Sequence, residues 1–167
     1  MKKTVGLLLS AGLCALMLSG CGDEAGERVL KPVPFGEHDR CHLCGMVISH
    51  YEGPKAEIIL KGAEETPLKF CSGRDAFTFA LQPENQRRLL AFYLHDLGAT
   101  SWKTPDDKAL IAAKDAHYVY GHRREGVMGP EPAAFGRLEA AKAFAAEWGG
   151  RTLEYADITL SRLESQE

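Results

Sequence analysis

Apolar positions along this chain form one long run and a series of short, interrupted clusters. The run covers residues 5–18, follows Lys2 and Lys3, and is broken only by small residues. It is too short for a transmembrane helix, which needs about 20 apolar residues, and has the form of a secretory signal's hydrophobic region. Beyond it, residues 56–61 read as a buried strand through Ile58, Ile59 and Leu60. Residues 62–67 read as a hairpin loop and Leu68-Lys69-Phe70 as the returning strand. Residues 47–49, 89–94, 117–120 and 151–155 are further strand candidates, the first short but β-prone. Helical spacing occurs twice. Ser72 with Asp75 three residues on resembles a capping box, opening a helix with Ala76, Phe79 and Ala80 on its apolar face and Pro83 limiting its length. Leu138, Ala141, Ala145 and Trp148 form the second stripe, stopped by Gly149-Gly150.

Polar stretches divide these elements. Residues 21–35, with Pro32 and Pro34, read as a flexible tether, so folding is expected to begin near Phe35. Residues 100–108 suit a connection between a first half, 36–99, and a second half with its tail, 100–167. Residues 121–125 read as an exposed turn. Each half runs strand, loop, short strand, helix, strand, and Phe70-Cys71-Ser72-Gly73-Arg74 is answered loosely by Ala134-Phe135-Gly136-Arg137. Strands interleaved with two short helices predict an α+β fold.

The signal ends in Leu18-Ser19-Gly20-Cys21, which looks like a bacterial lipobox, in which the cysteine is lipidated and becomes the first mature residue. Cys14 leaves with residues 1–20, and 147 residues remain, enough for one domain or two very small ones. Losing the two lysines moves the net charge from −3 to about −5, which argues against a nucleic-acid partner. Gly22 after the lipid cysteine, where an inner-membrane protein commonly has aspartate, predicts outer-membrane retention on the periplasmic face.

The candidate chemistry lies in sulfur. Besides Cys21, the mature chain has Cys41, Cys44 and Cys71, an odd number that leaves at least one free thiol or ligand. Cys71 precedes the predicted helix start, where main-chain N–H groups favour a thiolate, although a small buried residue is an equal reading. Cys41-His42-Leu43-Cys44 is open to three explanations: a disulfide, a redox pair, or a metal site such as zinc completed by Cys71 and a histidine. Gly45 and the β-prone Val47-Ile48 that follow do not suit the helix a thioredoxin-like pair opens. The two mature methionines, Met46 and Met128, both sit among glycines in loop-like contexts. Thiolate and thioether donors together select Cu(I). His122, on the turn before Met128, is the preferred histidine, with His42 behind it. No acid–base pair or activated nucleophile is evident, so no catalysis is expected.

At these residues the chain resembles the NosL family. The resemblance rests on Leu18-Ser19-Gly20-Cys21, on Asp39-Arg40-Cys41-His42-Leu43-Cys44-Gly45-Met46, on Phe70-Cys71-Ser72, on Asp115-Ala116-His117-Tyr118-Val119 and on Met128-Gly129-Pro130. It implies a Cu(I) metallochaperone lipoprotein serving the copper centres of nitrous oxide reductase, directly or through a membrane-associated maturation complex. It also implies two similar small ββαβ units related to the organomercurial lyase scaffold. The family's loop is richer around the methionine than this one, which leaves a fourth ligand open. The expectation is Cu(I) between the two halves on Cys44, Met46 and Met128, completed by His122, with Cys41 and Cys71 as second choices. Two rivals stand beside it: an organomercurial-lyase-like enzyme using the cysteine pair, and a structural lipoprotein with a Cys41–Cys44 disulfide or a zinc site.

Overall fold

In the computed structural model, residues 30–165 are described; the signal, Cys14 and Cys21 lie outside them. Strand β1, Ala56–Leu60, is buried at all five positions. The contiguous β-branched pair Ile58-Ile59 suits a strand covered on both faces. It pairs antiparallel with β2, Leu68–Phe70, across the expected hairpin, and on its other side with β3, Leu89–His95. Between β2 and β3 lie helix α1, Gly73–Ala80, and the single turn α2, Pro83–Gln86. Pro83 occupies the first position of α2, where its missing N–H costs nothing, so it starts a new turn as well as ending the old one.

The second unit repeats this plan. It consists of β5, His117–Tyr120, β6, Ala133–Phe135, helix α3, Leu138–Trp148, and β7, Arg151–Leu153. Its sheet order is β6-β5-β7, and the first sheet runs β2-β1-β3 with β4, Leu110–Ala112, added at its edge. In both units the first strand is central and the helix connects its two neighbours. The fold is therefore α+β, built from two ββαβ units. Gly149, with φ of 81°, ends α3 as the sequence predicts.

Four expectations need correction. Residues 47–49 form no strand: Val47 makes a single bridge to Arg40, and Ile48–His50 is a 3-10 turn with Ile48 buried. The first unit draws β4 from beyond the boundary at residue 99, and the tail closes with helix α4, Leu160–Ser165, packed on α1. The turn at 121–125 is not wholly exposed, because His122 is buried. Finally, the tether stops short of Phe35. Val33 N donates to both carboxylate oxygens of Glu57 at 3.2 and 3.1 Å, and Phe35 N donates to Asp107 Oδ2 at 2.7 Å. Leu30 O accepts from the Tyr93 hydroxyl and Pro34 O from Lys69 Nζ. The prolines keep this segment extended, and the amides of Val33 and Phe35 meet carboxylates on the body, so it is a strap rather than a free linker.

The larger core spans both units. Phe77 of α1 meets Phe92 of β3 edge-on at 4.9 Å and Tyr118 of β5 at 5.4 Å. A smaller core under α3 gathers Trp102, Val119, Phe135 and Ala141. The start of α1 is fixed by Ser72, whose Oγ accepts from Asp75 N at 3.1 Å. Removing that cap in Ser72→Ala is expected to cost about 1 kcal/mol, measured as a shift in the urea midpoint with an unchanged slope.

Candidate metal centre

Residues 39–48 form a tight loop against β2. Cys41 N donates to Met46 O at 2.8 Å, Gly45 N to Cys41 O at 2.9 Å, and His42 N to Lys69 O at 2.8 Å. Gly45 has φ of 76°, a left-handed conformation that closes the loop at low cost only for a residue without Cβ. The cysteine pair thus opens a knuckle, not a helix. Cys41 is buried beneath the loop and Cys44 is exposed at its tip, beside Leu43, which is 47% exposed. Cys71 is fully buried between the end of β2 and the cap residue of α1.

The loop and the helix start bring four donors together. One ligand atom each from Cys41, Cys44, Cys71 and Asp75 lies within 4.8 Å of all the others. Cys44 Sγ and Cys71 Sγ are 3.5 Å apart, and all three cysteines are free thiols. Asp75 Oδ2 accepts from Cys41 Sγ at 3.3 Å and from Cys71 Sγ at 3.7 Å. Four groups therefore share few protons in a mostly buried space. Cys41 gives up its proton first: a hydrogen bond from Cys71, then main-chain N–H groups of Cys44, Cys71 and Leu43, hold it down to about 4 despite burial. The same hydrogen bond, with burial, pushes Cys71 up. Burial raises Cys44, with the N–H of Met46 opposing it. Burial, reinforced by the Cys41 thiolate, lifts Asp75 to about 6. The cluster holds one ready thiolate, two thiols and a reluctant carboxylate. A soft cation that displaces the remaining thiol protons suits this set.

A NosL family profile matches residues 32–163, nearly all of the described chain. The chain belongs to the NosL family. It is 40% identical to the copper-binding lipoprotein NosL of Stutzerimonas stutzeri, over 93% of this chain and 81% of that one. With the copper-binding lipoprotein NosL of Achromobacter cycloclastes it shares 37% identity, over 95% and 82% respectively. The crystal structure of the copper chaperone NosL from Shewanella denitrificans superposes with a TM-score of 0.76 at 34% identity, covering 79% of this chain and 98% of that one.

Within this NosL fold, the six residues singled out from sequence separate. Cys41, Cys44 and Cys71 come together, all within the first unit and its leading loop rather than between the units. Met46 and Met128 are half-buried, packed at the margin of the larger core. Met128 rides on a turn closed by a Gly126–Gly129 bridge, on a segment fastened to α1 through Pro130 O, which accepts from Arg74 Nη1 at 3.0 Å. His122 lies outside the cluster. The turn at Gly121 sends it between Trp102 and Phe144, with ring centroids 5.7 and 5.1 Å away, and its Nε2 is 3.1 Å from Glu131 O. Burial holds its basicity down. His42 is exposed and leans edge-on against Phe79 at 5.0 Å.

Asp75 is the donor that sequence reading assigned only to helix capping. Its main chain meets Ser72, but its carboxylate turns to sulfur; the i, i+4 spacing of Cys71 and Asp75 was the available signal. Two further buried ionisable groups border the cluster without any sequence signal. Glu131 Oε2 accepts from Gly73 N at 2.9 Å, and Lys55 Nζ donates to the carbonyls of Tyr51, Glu52 and Cys71.

Proposed function

We propose that this chain is a periplasmic carrier of Cu(I), anchored through lipid on Cys21, retained at the outer membrane and delivering copper for nitrous oxide reductase assembly. The observation that carries the reading is the convergence of three free thiols, one of them exposed, within 4.8 Å of one another. The names of the relatives and the carrier chemistry of the set support it. Cys44 at the loop tip is the point of entry and exit, and Cys41 and Cys71 supply buried sulfur that holds the ion. Met46, two residues from Cys44, and Met128, on the segment bordering α1, are the weaker thioether donors that let copper leave by ligand exchange. His122, tied to Glu131 and enclosed by aromatic rings, has a packing role. Neither transfer nor storage asks for catalysis.

A second reading has one observation in its favour. The fourth donor of the cluster is a carboxylate, and three thiolates with one carboxylate suit a closed tetrahedral zinc site. Titration of reduced protein with Cu(I) under a competing chelator, once metal-free and once preloaded with zinc, followed by X-ray absorption on the loaded forms, separates the two. The expected result is one tightly held Cu(I) with sulfur neighbours. Zinc with an oxygen neighbour that excess Cu(I) leaves in place and cannot add to is the result that overturns the carrier reading.

A further inference from the structure

Two of the three thiols already touch. Cys44 Sγ and Cys71 Sγ lie 3.5 Å apart, although 27 positions separate the residues in the chain. A disulfide needs that gap to close to about 2 Å. Cys71 is fully buried and fixed between the end of β2 and the cap residue of α1, whereas Cys44 stands exposed at the tip of its loop. The base of the loop is clamped by Cys41, whose N–H donates to Met46 O and whose carbonyl accepts from Gly45 N. Closing the gap therefore falls on the exposed tip. Cys41 is the less suited partner for either sulfur. Its thiol donates to Asp75 Oδ2 at 3.3 Å, against 3.7 Å for Cys71, so bridging Cys41 sacrifices the shorter bond. A bond within Cys41-His42-Leu43-Cys44 also closes a very short ring, while Cys44–Cys71 closes a long one and restrains the unfolded chain more.

We propose that Cys44 and Cys71 form a reversible disulfide that closes the unloaded carrier to copper. The consequence for copper rests on the carrier reading; the bond itself does not. The oxidant is the disulfide of a thiol–disulfide exchange partner, a class suited to an oxidising exported compartment. Cys44, the sulfur within reach, attacks one sulfur of that disulfide and releases the other as a thiol. Cys71 then attacks Cys44 from beneath and expels the second sulfur, also as a thiol. Two S–H bonds break in the carrier and one S–S bond forms, while the partner takes up two electrons and two protons. Cys71 is too deeply buried to begin the exchange, so the order is fixed. An ion shared by both sulfurs keeps them from bonding, and the bond leaves Cys41 as the one free thiol of the cluster. Loading and bridging exclude each other, and a dithiol donor must open the site before capture.

Reduced, metal-free protein is treated with oxidised glutathione, the remaining thiols are alkylated, and the linked peptides are sequenced by mass spectrometry. The expected product is joined through Cys44 and Cys71, with Cys41 alkylated after unfolding. A bond from Cys41 to either partner overturns the inference, as does a lasting glutathione adduct on Cys44 with Cys71 alkylated. Cys41→Ser is expected to keep the link to Cys71 and Cys44→Ser to lose it; the opposite pattern is equally fatal. Should either variant not fold, the linkage sequenced in unaltered protein decides alone. Under a competing chelator, the bridged form is expected to bind Cu(I) at least about a hundredfold more weakly than the reduced form, beyond what losing a supporting group costs. A dithiol reductant restores it. Protein first loaded with one equivalent of Cu(I) is expected to resist bridging. Equal affinities, or bridging of loaded protein as fast as unloaded, sink the exclusion. If the bond forms in protein that binds no Cu(I) when reduced, the carrier reading fails and the disulfide stands.

Discussion

Cys71→Ser is expected to lower Cu(I) affinity by at least about a hundredfold, above the range seen when only a supporting group is lost. The substitution is small. Cys71 is fully buried between Phe70 and the capping Ser72, and a serine hydroxyl fits the same space with Asp75 Oδ2 within reach. Folding is therefore kept, and the loss falls on the metal. Hydroxyl oxygen is a hard, protonated donor that a soft monovalent ion does not prefer. Cys71 is also the hydrogen-bond partner that most depresses Cys41, so its removal makes the remaining buried sulfur less available as a thiolate. Competition titration of Cys71→Ser beside His38→Ala, an exposed histidine away from the cluster, provides the measurement. Affinity unchanged in Cys71→Ser would remove Cys71 from the site and leave Cys41, Cys44 and the thioethers.

Glu131→Gln is expected to stabilise the fold by about 3 kcal/mol at pH 7. Glu131 is 1% exposed, its Oε1 has no hydrogen-bond partner among the described residues, and burial raises it from 4.5 to about 8. An acid whose folded value is raised costs nothing below its unfolded value. From pH 4.5 to 8 the unfolded chain ionises and the folded chain does not, so stability falls as pH rises through that window. Glutamine is never asked to ionise, and its carbonyl oxygen can still accept from Gly73 N. Urea unfolding at pH 5 and pH 8 checks both sign and size: the wild type loses stability between them relative to the variant, with the slope unchanged. Equal midpoints for the two proteins at pH 8 would show that Glu131 ionises in the folded state.

Much of the fold was legible because its signals are local. Ile58-Ile59, the loop before Leu68, the Ser72 cap and the Gly149 stop each act through their own backbone, and each element lies where they place it. The likeness of the halves was visible only at the ends of β2 and β6, and the structure shows why it is faint. Phe70 and Phe135 occupy matching positions, but the place after Phe70 holds Cys71 while the place after Phe135 holds Gly136. There a Cβ would come within 2.6 Å of Asp96 Oδ2. The two units share a path and differ in chemistry, and only the first carries thiols.

The site was legible in its residue types and not in their grouping. Met128 and His122 are close in sequence, but Gly121 turns the histidine into the aromatic pocket under α3, and no spacing rule foretells which way a left-handed glycine points the next side chain. Glycine-flanked methionines suggested free loops; both loops are instead pinned to the core. Lys55 and Glu131 escaped notice for one reason. Their importance lies in being buried, which depends on three chain segments closing over them and on no local pattern.

The strap at residues 30–35 also sets a leash length. On the proposed anchoring through Cys21, nine peptide steps would separate the lipid from the first fastened residue, Leu30, at most about 30 Å of fully stretched chain. A body so tightly moored would patrol a shallow layer over its own bilayer. Cargo would then be collected and surrendered within roughly one protein diameter of that surface, and any recipient would have to visit the same shore.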